Sequence, residues 1–168
     1  MRVTAIPSKT TSLHSRKLLL SLHIISTVSV LGTELVLLTL GIASLSGADP
    51  RTIYPAAHLV SLWLAAPLAL LSLGSGVLLG LLTPWGLFRF WWVTIKLVIT
   101  AGLTLVVLFV IVPRLSTVAA SVSASGTLPI GERLPLVIAP LLASVLLVLN
   151  VFLAIFKPGG RLRAHTTQ

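Results

Sequence analysis

Residues 91–112 read WWVTIKLVITAGLTLVVLFVIV, a run in which Lys96 is the single charge. At about 1.5 Å per residue, a helix of that length reaches across the roughly 30 Å hydrocarbon core of a bilayer. Three more stretches of the same kind follow from the sequence, at 18–45, 56–82 and 134–156. Each exceeds the roughly 18 residues at which a spanning helix is suspected. No polar–apolar alternation runs through them, which excludes spanning strands. Composition agrees: 56% of the 168 residues are hydrophobic, 9% are charged and the mean hydropathy is +1.09. A soluble domain carries about a quarter charged residues. The expected fold is therefore all-α, an integral membrane antiparallel four-helix bundle. Its helices fall at about 18–45, 56–82, 88–112 and 134–156, between an N-terminal tail at 1–17 and a C-terminal tail at 157–168.

Positive charges set the expected orientation. Arg2, Lys9, Arg16 and Lys17 precede the first helix, Arg89 lies in the second connection, and Lys157, Arg161 and Arg163 follow the last helix. The other side holds only Arg51, Arg114 and Arg133, with Asp49 and Glu132 beside them. The positive-inside rule then puts both termini in the cytoplasm of a cell membrane. This distribution accounts for the net charge of +9. No base-stacking or groove-reading motif accompanies it, so nucleic acid is not an expected partner; the bilayer is, with a membrane complex or a homo-oligomer as further expectations. The first apolar stretch is much longer than a roughly 7–15-residue signal core, which predicts that it is retained.

Metal and redox chemistry are narrowed by composition. Cysteine is absent, Met1 is the only methionine, and His14, His23, His58 and His165 form no ligand-spaced pair. Thiolate and copper sites are thereby disfavoured, and no conventional nucleophile or metal centre is available for catalysis. The connection at 114–133, with its STVAASVSASGTLPIGER run, reads as a serine- and alanine-rich external loop. Trp85, Arg89, Trp91 and Trp92 read as anchors at the inner interface.

Depth estimates single out the polar residues. His23 lies roughly 7–8 Å inside the cytoplasmic face, Lys96 about 8 Å, Asn150 about 9 Å and Ser75 about 10 Å, so each helix places one polar residue at one level. Glu34 is much deeper, roughly 24 Å from that face, where an unpaired carboxylate is costly. About 12 Å along the membrane normal separates it from Lys96, which argues against a direct salt bridge. His23, Ser26, Thr27 and Glu34 share one helical face, which is expected to look into the bundle. Lys96 has two readings: a lysine that snorkels to the headgroups, or one turned inward to a ligand anion. The Gly76-x-x-x-Gly80 step reads as a close-packing surface or a cofactor slot.

The block LHIISTVSVLG at 22–32 and the glycine-punctuated second helix lead into TPWGLFRFWWVTIKL at 83–97. Together they resemble a family of small uncharacterised four-helix bacterial membrane proteins. More distantly, the chain resembles a superfamily that holds the copper-resistance D-type proteins and the haem-associated protoporphyrinogen oxidases of the HemJ type. In the latter, a first-helix histidine matches His23, a second-helix proline matches Pro67, and the lysine of a W-L-H-x-K-L motif matches Lys96. The histidine of that motif is replaced by Thr94, and the first-helix tryptophan by Val30. The resemblance implies a haem b site with His23 as the single axial ligand to iron, Lys96 near a propionate, and Ser75 and Asn150 at the same level. Three functions are thus carried forward. The first is a non-catalytic accessory or interaction subunit, the second a haem- or porphyrin-binding membrane protein, and the third a small-molecule permease that uses Glu34.

Overall fold

The computed structural model of the chain describes residues 13–82 and 87–156. Among the described residues there is no β-strand, and four helices are long and apolar enough to cross a membrane. They are α1 (Leu13–Leu45), α2 (Pro50–Leu82), α3 (Trp91–Ser125) and α4 (Ile130–Phe156). Helix α1 packs on α2 and on α4, α2 packs on α3, and α3 meets α4 along the lightest of the four seams. The buried positions of α1 are Ser26, Val30, Thr33, Glu34, Leu37, Gly41 and Ser44, which recur at steps of three and four residues, with Thr33 and Glu34 adjacent, as one helical face requires. Leu18, Ile24, Ile25 and Val28 face outward. A water-soluble monomer rarely exposes apolar patches on this scale, whereas helices that contact lipid must.

All four helices pass an expected boundary, since α1 begins at Leu13 and α4 at Ile130, and α2 and α3 run furthest beyond theirs. Asp49-Pro50 reads as a chain break, yet Asp49 is the N-cap of α2: its Oδ1 accepts the Arg51 N–H at 3.0 Å, and Pro50 takes the first turn, where its missing N–H costs nothing. Helix α3 continues through the expected loop as far as Ser125. There Gly126, with φ of +74°, closes it in the left-handed conformation and returns its N–H to the Val122 carbonyl. The serine-rich segment stays helical because Leu115, Ala119 and Val122 recur on one face. That face packs with Leu37, Ile53, Tyr54 and Ala57 into the largest buried cluster of the molecule. At 35 residues, α3 is about 50 Å long and exceeds what a bilayer core needs.

Prolines shape the interior. Ser61–Ala65 in α2 and Val107–Ile111 in α3 are π-helical turns. Each immediately precedes a proline-bearing turn, Pro67 in α2 and Pro113 in α3. A helical proline lacks the N–H that bonds to the carbonyl four residues back, and its ring crowds that carbonyl. Those carbonyls belong to Trp63 and Phe109, inside the two π turns, where the wider turn relieves the crowding. The two turns touch each other through a small cluster of Ala65, Ala66 and Val107. In α4, Pro140 leaves the Leu136 carbonyl without its usual donor. That carbonyl lies directly against Gly41, where a Cβ would meet the Leu136 carbonyl carbon at 2.7 Å and Val137 Cγ2 at 2.9 Å. Among the described glycines, it is Gly41 that sets α1 hard against the main chain of another helix, whereas Gly76 and Gly80 are met first by side chains.

Candidate functional site

The polar residues sort into two cavities, one at each end of the interior. The first, of about 400 Å³, is lined by Arg16, His23, Lys96 and Trp92, with Leu20, Leu73 and Leu97 among its apolar walls. The second, of about 320 Å³, is lined by Glu34 and Tyr54, has Arg114 and Glu132 at its far end, and is otherwise almost entirely apolar. Both volumes fall in the range of roughly 300–1,000 Å³ typical of small-molecule sites. Ser72 and Thr100 line both cavities, so the two share a wall of hydroxyl groups.

Around the first cavity, α1 meets α2 through His23. Its Nδ1–H donates to the Ser72 carbonyl at 3.1 Å and lies 3.1 Å from Ser75 Oγ. Ser75 itself donates to the Leu71 carbonyl at 2.6 Å, which leaves its oxygen lone pairs to face the ring. Thr27 Oγ1 reaches the Ser72 hydroxyl at 2.9 Å and completes the link. With Nδ1 engaged on a carbonyl, Nε2 is the free nitrogen of the imidazole. Gly76 makes room for the ring: a Cβ there would stand 3.0 Å from His23 Cε1. On the opposite side, Asn150 of α4 donates from Nδ2 to Thr100 Oγ1 of α3 at 3.1 Å. Asn150 is only 4% exposed, and its Oδ1 has no partner.

The structure thus brings His23, Lys96 and Trp92 to one cavity, with Ser75 behind the histidine and Asn150 behind Thr100. Trp91 is exposed, and Arg89 stacks over the Phe90 ring at 5.9 Å. Trp85 lies outside the described residues. Arg16, Ser72 and Thr100 join the site unannounced, although spacing carries their signal: Arg16 precedes His23 by seven residues, and Thr100 follows Lys96 by four, both on shared helical faces. Glu34 stands apart. It is 5% exposed, lines the second cavity, and makes no hydrogen bond or ion pair among the described residues. It does not pair with Lys96.

A porphyrin can be tested against these residues. A metal-ligating histidine commonly donates its other N–H to a backbone carbonyl, as His23 does to Ser72. The glycines do not fit the flat ring. Gly74 faces outward with nothing near it, Gly76 is covered by His23, and the space beside Gly80 is filled by Leu87. Neither Gly76 nor Gly80 leaves an open face for a macrocycle, and the open face of Gly74 looks away from the cavity.

At the far end, three cations are held by the protein. Arg133 donates from Nε to the Leu128 carbonyl at 3.0 Å and from Nη1 to the Ser44 carbonyl at 2.9 Å, which ties the start of α4 to the end of α1. Arg51 packs its guanidinium over Gly126, where a side chain would collide with it. Arg114 lines the second cavity together with Glu132.

No family model, curated protein or solved structure matches this chain.

Proposed function

We propose that the chain is a small multi-pass carrier of the cell membrane, with four antiparallel spanning helices and both termini in the cytoplasm. Glu34 is its ligand-binding group, and it exchanges a proton for an amphipathic organic cation. The orientation is supported by the tail cations at one end, against Arg51, Arg114 and Arg133 at the other. One observation carries the functional reading: a 5%-exposed carboxyl faces a chamber of about 320 Å³ and has no partner among the described residues.

An isolated carboxylate in such surroundings costs several kcal/mol, a cost that a glutamine would avoid. Ionisable groups at membrane depth are the usual markers of ion and substrate pathways. A carboxyl that no cation of the chain pairs with has two stable states, protonated or paired with a cation from outside. Entry of one cation then releases one proton, and the chamber stays neutral in both states. The apolar walls select the remainder of the ligand: a hydrophobic amine or quaternary ammonium fits, and a small hydrated ion does not.

The test is flux in proteoliposomes with tetraphenylphosphonium as the probe and an imposed pH gradient as the driving force. Wild type is expected to accumulate the probe. Glu34→Gln is expected to lose the gradient-driven component more than tenfold while keeping its helix content. Equal accumulation by the glutamine variant would remove Glu34 from the mechanism, and the accessory-subunit reading, in which Glu34 is silent, would stand in its place.

A further inference from the structure

The first cavity has a charge imbalance that the chain itself does not correct. The whole sequence contains three acidic residues, Glu34, Asp49 and Glu132. Asp49 caps α2, and the two glutamates line the other cavity. None lines the cavity that holds Arg16 and Lys96. Lys96 is partly buried and has no ion pair among the described residues. Two basic side chains, an imidazole and the hydroxyl residues Ser72 and Thr100 therefore face one space without a carboxylate.

The donors are arranged for an anion. Thr100 accepts a hydrogen bond from Asn150, which leaves its own O–H as a donor at the cavity wall. Arg16 lies in the first turns of α1 and is exposed, whereas Lys96 lies deeper, on α3. Apart from Ser72 and two glycines, the rest of the lining is aliphatic or aromatic, with Leu20, Leu73, Val77 and Trp92 among it. Leu20 is itself 48% exposed on the outer face of α1, so the apolar wall continues onto the lipid-facing surface. Cationic donors at one end and an apolar wall that runs out to the hydrocarbon match a molecule with an anionic head and an acyl tail. Basic pockets between spanning helices hold anionic headgroups in this way, and charge-assisted bonds from arginine and lysine to phosphate are about twice as strong as neutral ones.

We propose that this cavity binds an anionic phospholipid, its phosphate between Arg16 and Lys96 and its acyl chains along Leu20, Leu73 and Val77. The site is independent of the cation chamber. The lipid neutralises Lys96, and the Ser72–Thr100 wall separates its phosphate from Glu34.

Native mass spectrometry of the full chain, delipidated in detergent and titrated with phosphatidylglycerol or phosphatidylcholine, tests the assignment. Phosphatidylglycerol is expected to bind at concentrations at least tenfold lower than phosphatidylcholine. Lys96→Leu and Arg16→Gln are each expected to erase most of that preference, and Lys96→Arg to retain it. Arg16 is exposed, so its variant reports on binding even if Lys96→Leu fails to fold. Equal binding of the two lipids, or an unchanged preference in Arg16→Gln, overturns the proposal. Displacement of phosphatidylglycerol by inorganic phosphate at equal concentration overturns the lipid as the source of the anion. A Soret band in the purified protein assigns the cavity to a tetrapyrrole and likewise overturns it. Cation flux is measured separately, so failure of either proposal leaves the other standing.

Discussion

Replacing Gly41 by alanine tests the α1–α4 seam with a single methyl group. A Cβ at position 41 would fall 2.7 Å from the Leu136 carbonyl carbon and closer still to its oxygen. Both are backbone atoms, so no rotamer change clears the way. To restore an ordinary contact of about 3.4–4 Å with the nearer of the two, the oxygen, the helices must part by roughly 1 Å. A gap of 0.5–1 Å forfeits about a quarter to a half of the dispersion attraction across it, and overpacking costs about 1–3 kcal/mol in typical cores. Alanine returns up to about 1 kcal/mol through helix propensity, so the expected net loss is on the order of 1–2 kcal/mol. Gly32 of the same helix is the control, because a Cβ there meets nothing within 4 Å. Gly32→Ala is expected to be neutral or to stabilise by up to about 1 kcal/mol. Far-UV circular dichroism during unfolding in mixed micelles should separate the two variants by about 2 kcal/mol. Adding Val137→Ala to Gly41→Ala should rescue little, because the obstruction is main chain. If the two glycine variants agree within about 0.5 kcal/mol, the close approach is not a feature of the protein in its membrane.

Glu34→Gln should unfold at the same denaturant concentration as wild type or a higher one, since the amide avoids the cost of a buried charge; a marked loss would reveal a cationic partner. Gly76→Ala should push the His23 ring off Ser72 and cost roughly 0.5–1.5 kcal/mol, the worth of a typical hydrogen bond, with the histidine ring shifts in NMR as the direct readout. Asn150→Leu removes the bond to Thr100 together with an unpartnered Oδ1, so stability should change by less than about 1 kcal/mol, in line with hydrogen bonds between membrane helices. Ser123→Cys should react with a membrane-impermeant thiol reagent on intact cells and Ser8→Cys only after permeabilisation; the reverse pattern ends the proposed orientation.

Much of this architecture is legible from the length of the apolar runs, because a spanning helix must be both long and apolar, and little else in a chain is. The helix ends are less legible. Leu115, Ala119 and Val122 carry a helical period, but the serines between them have the composition of a loop, and the period shows only once the partner face of α2 is present. Asp49-Pro50 signals a cap as much as a break, and nothing local distinguishes the two. Depth arithmetic brings His23, Lys96 and Asn150 to one level and separates Glu34 from Lys96. It is silent on rotation about each helix axis, which decides that Arg16 and Thr100 join Lys96 while Asn150 stands behind. The glycine step shows the limit of a spacing rule: small-x-x-x-small spacing marks space for close packing without saying what packs there, and here side chains fill it, His23 over Gly76 and Leu87 over Gly80.

The paired π turns carry a mechanical consequence. Each accommodates one residue more than an α-helical turn would, so the segments on either side are out of phase by about 100° relative to an uninterrupted helix. If such a turn moves along the chain by a few residues, the segment it crosses swivels about its own axis while both ends stay anchored. In α2 and α3 the two turns touch, and Ala65, Val107 and Ile111 from them line the glutamate chamber. A swivel in one helix must then be met by the other, as in a pair of meshed gears. The prolines at 67 and 113 limit that travel on their own side, since the distortion each imposes on the preceding turn keeps the wide turn close to it. The freedom that paired π turns give this interior is therefore torsional: the segments on either side of them can turn against one another without any helix having to tilt or come apart.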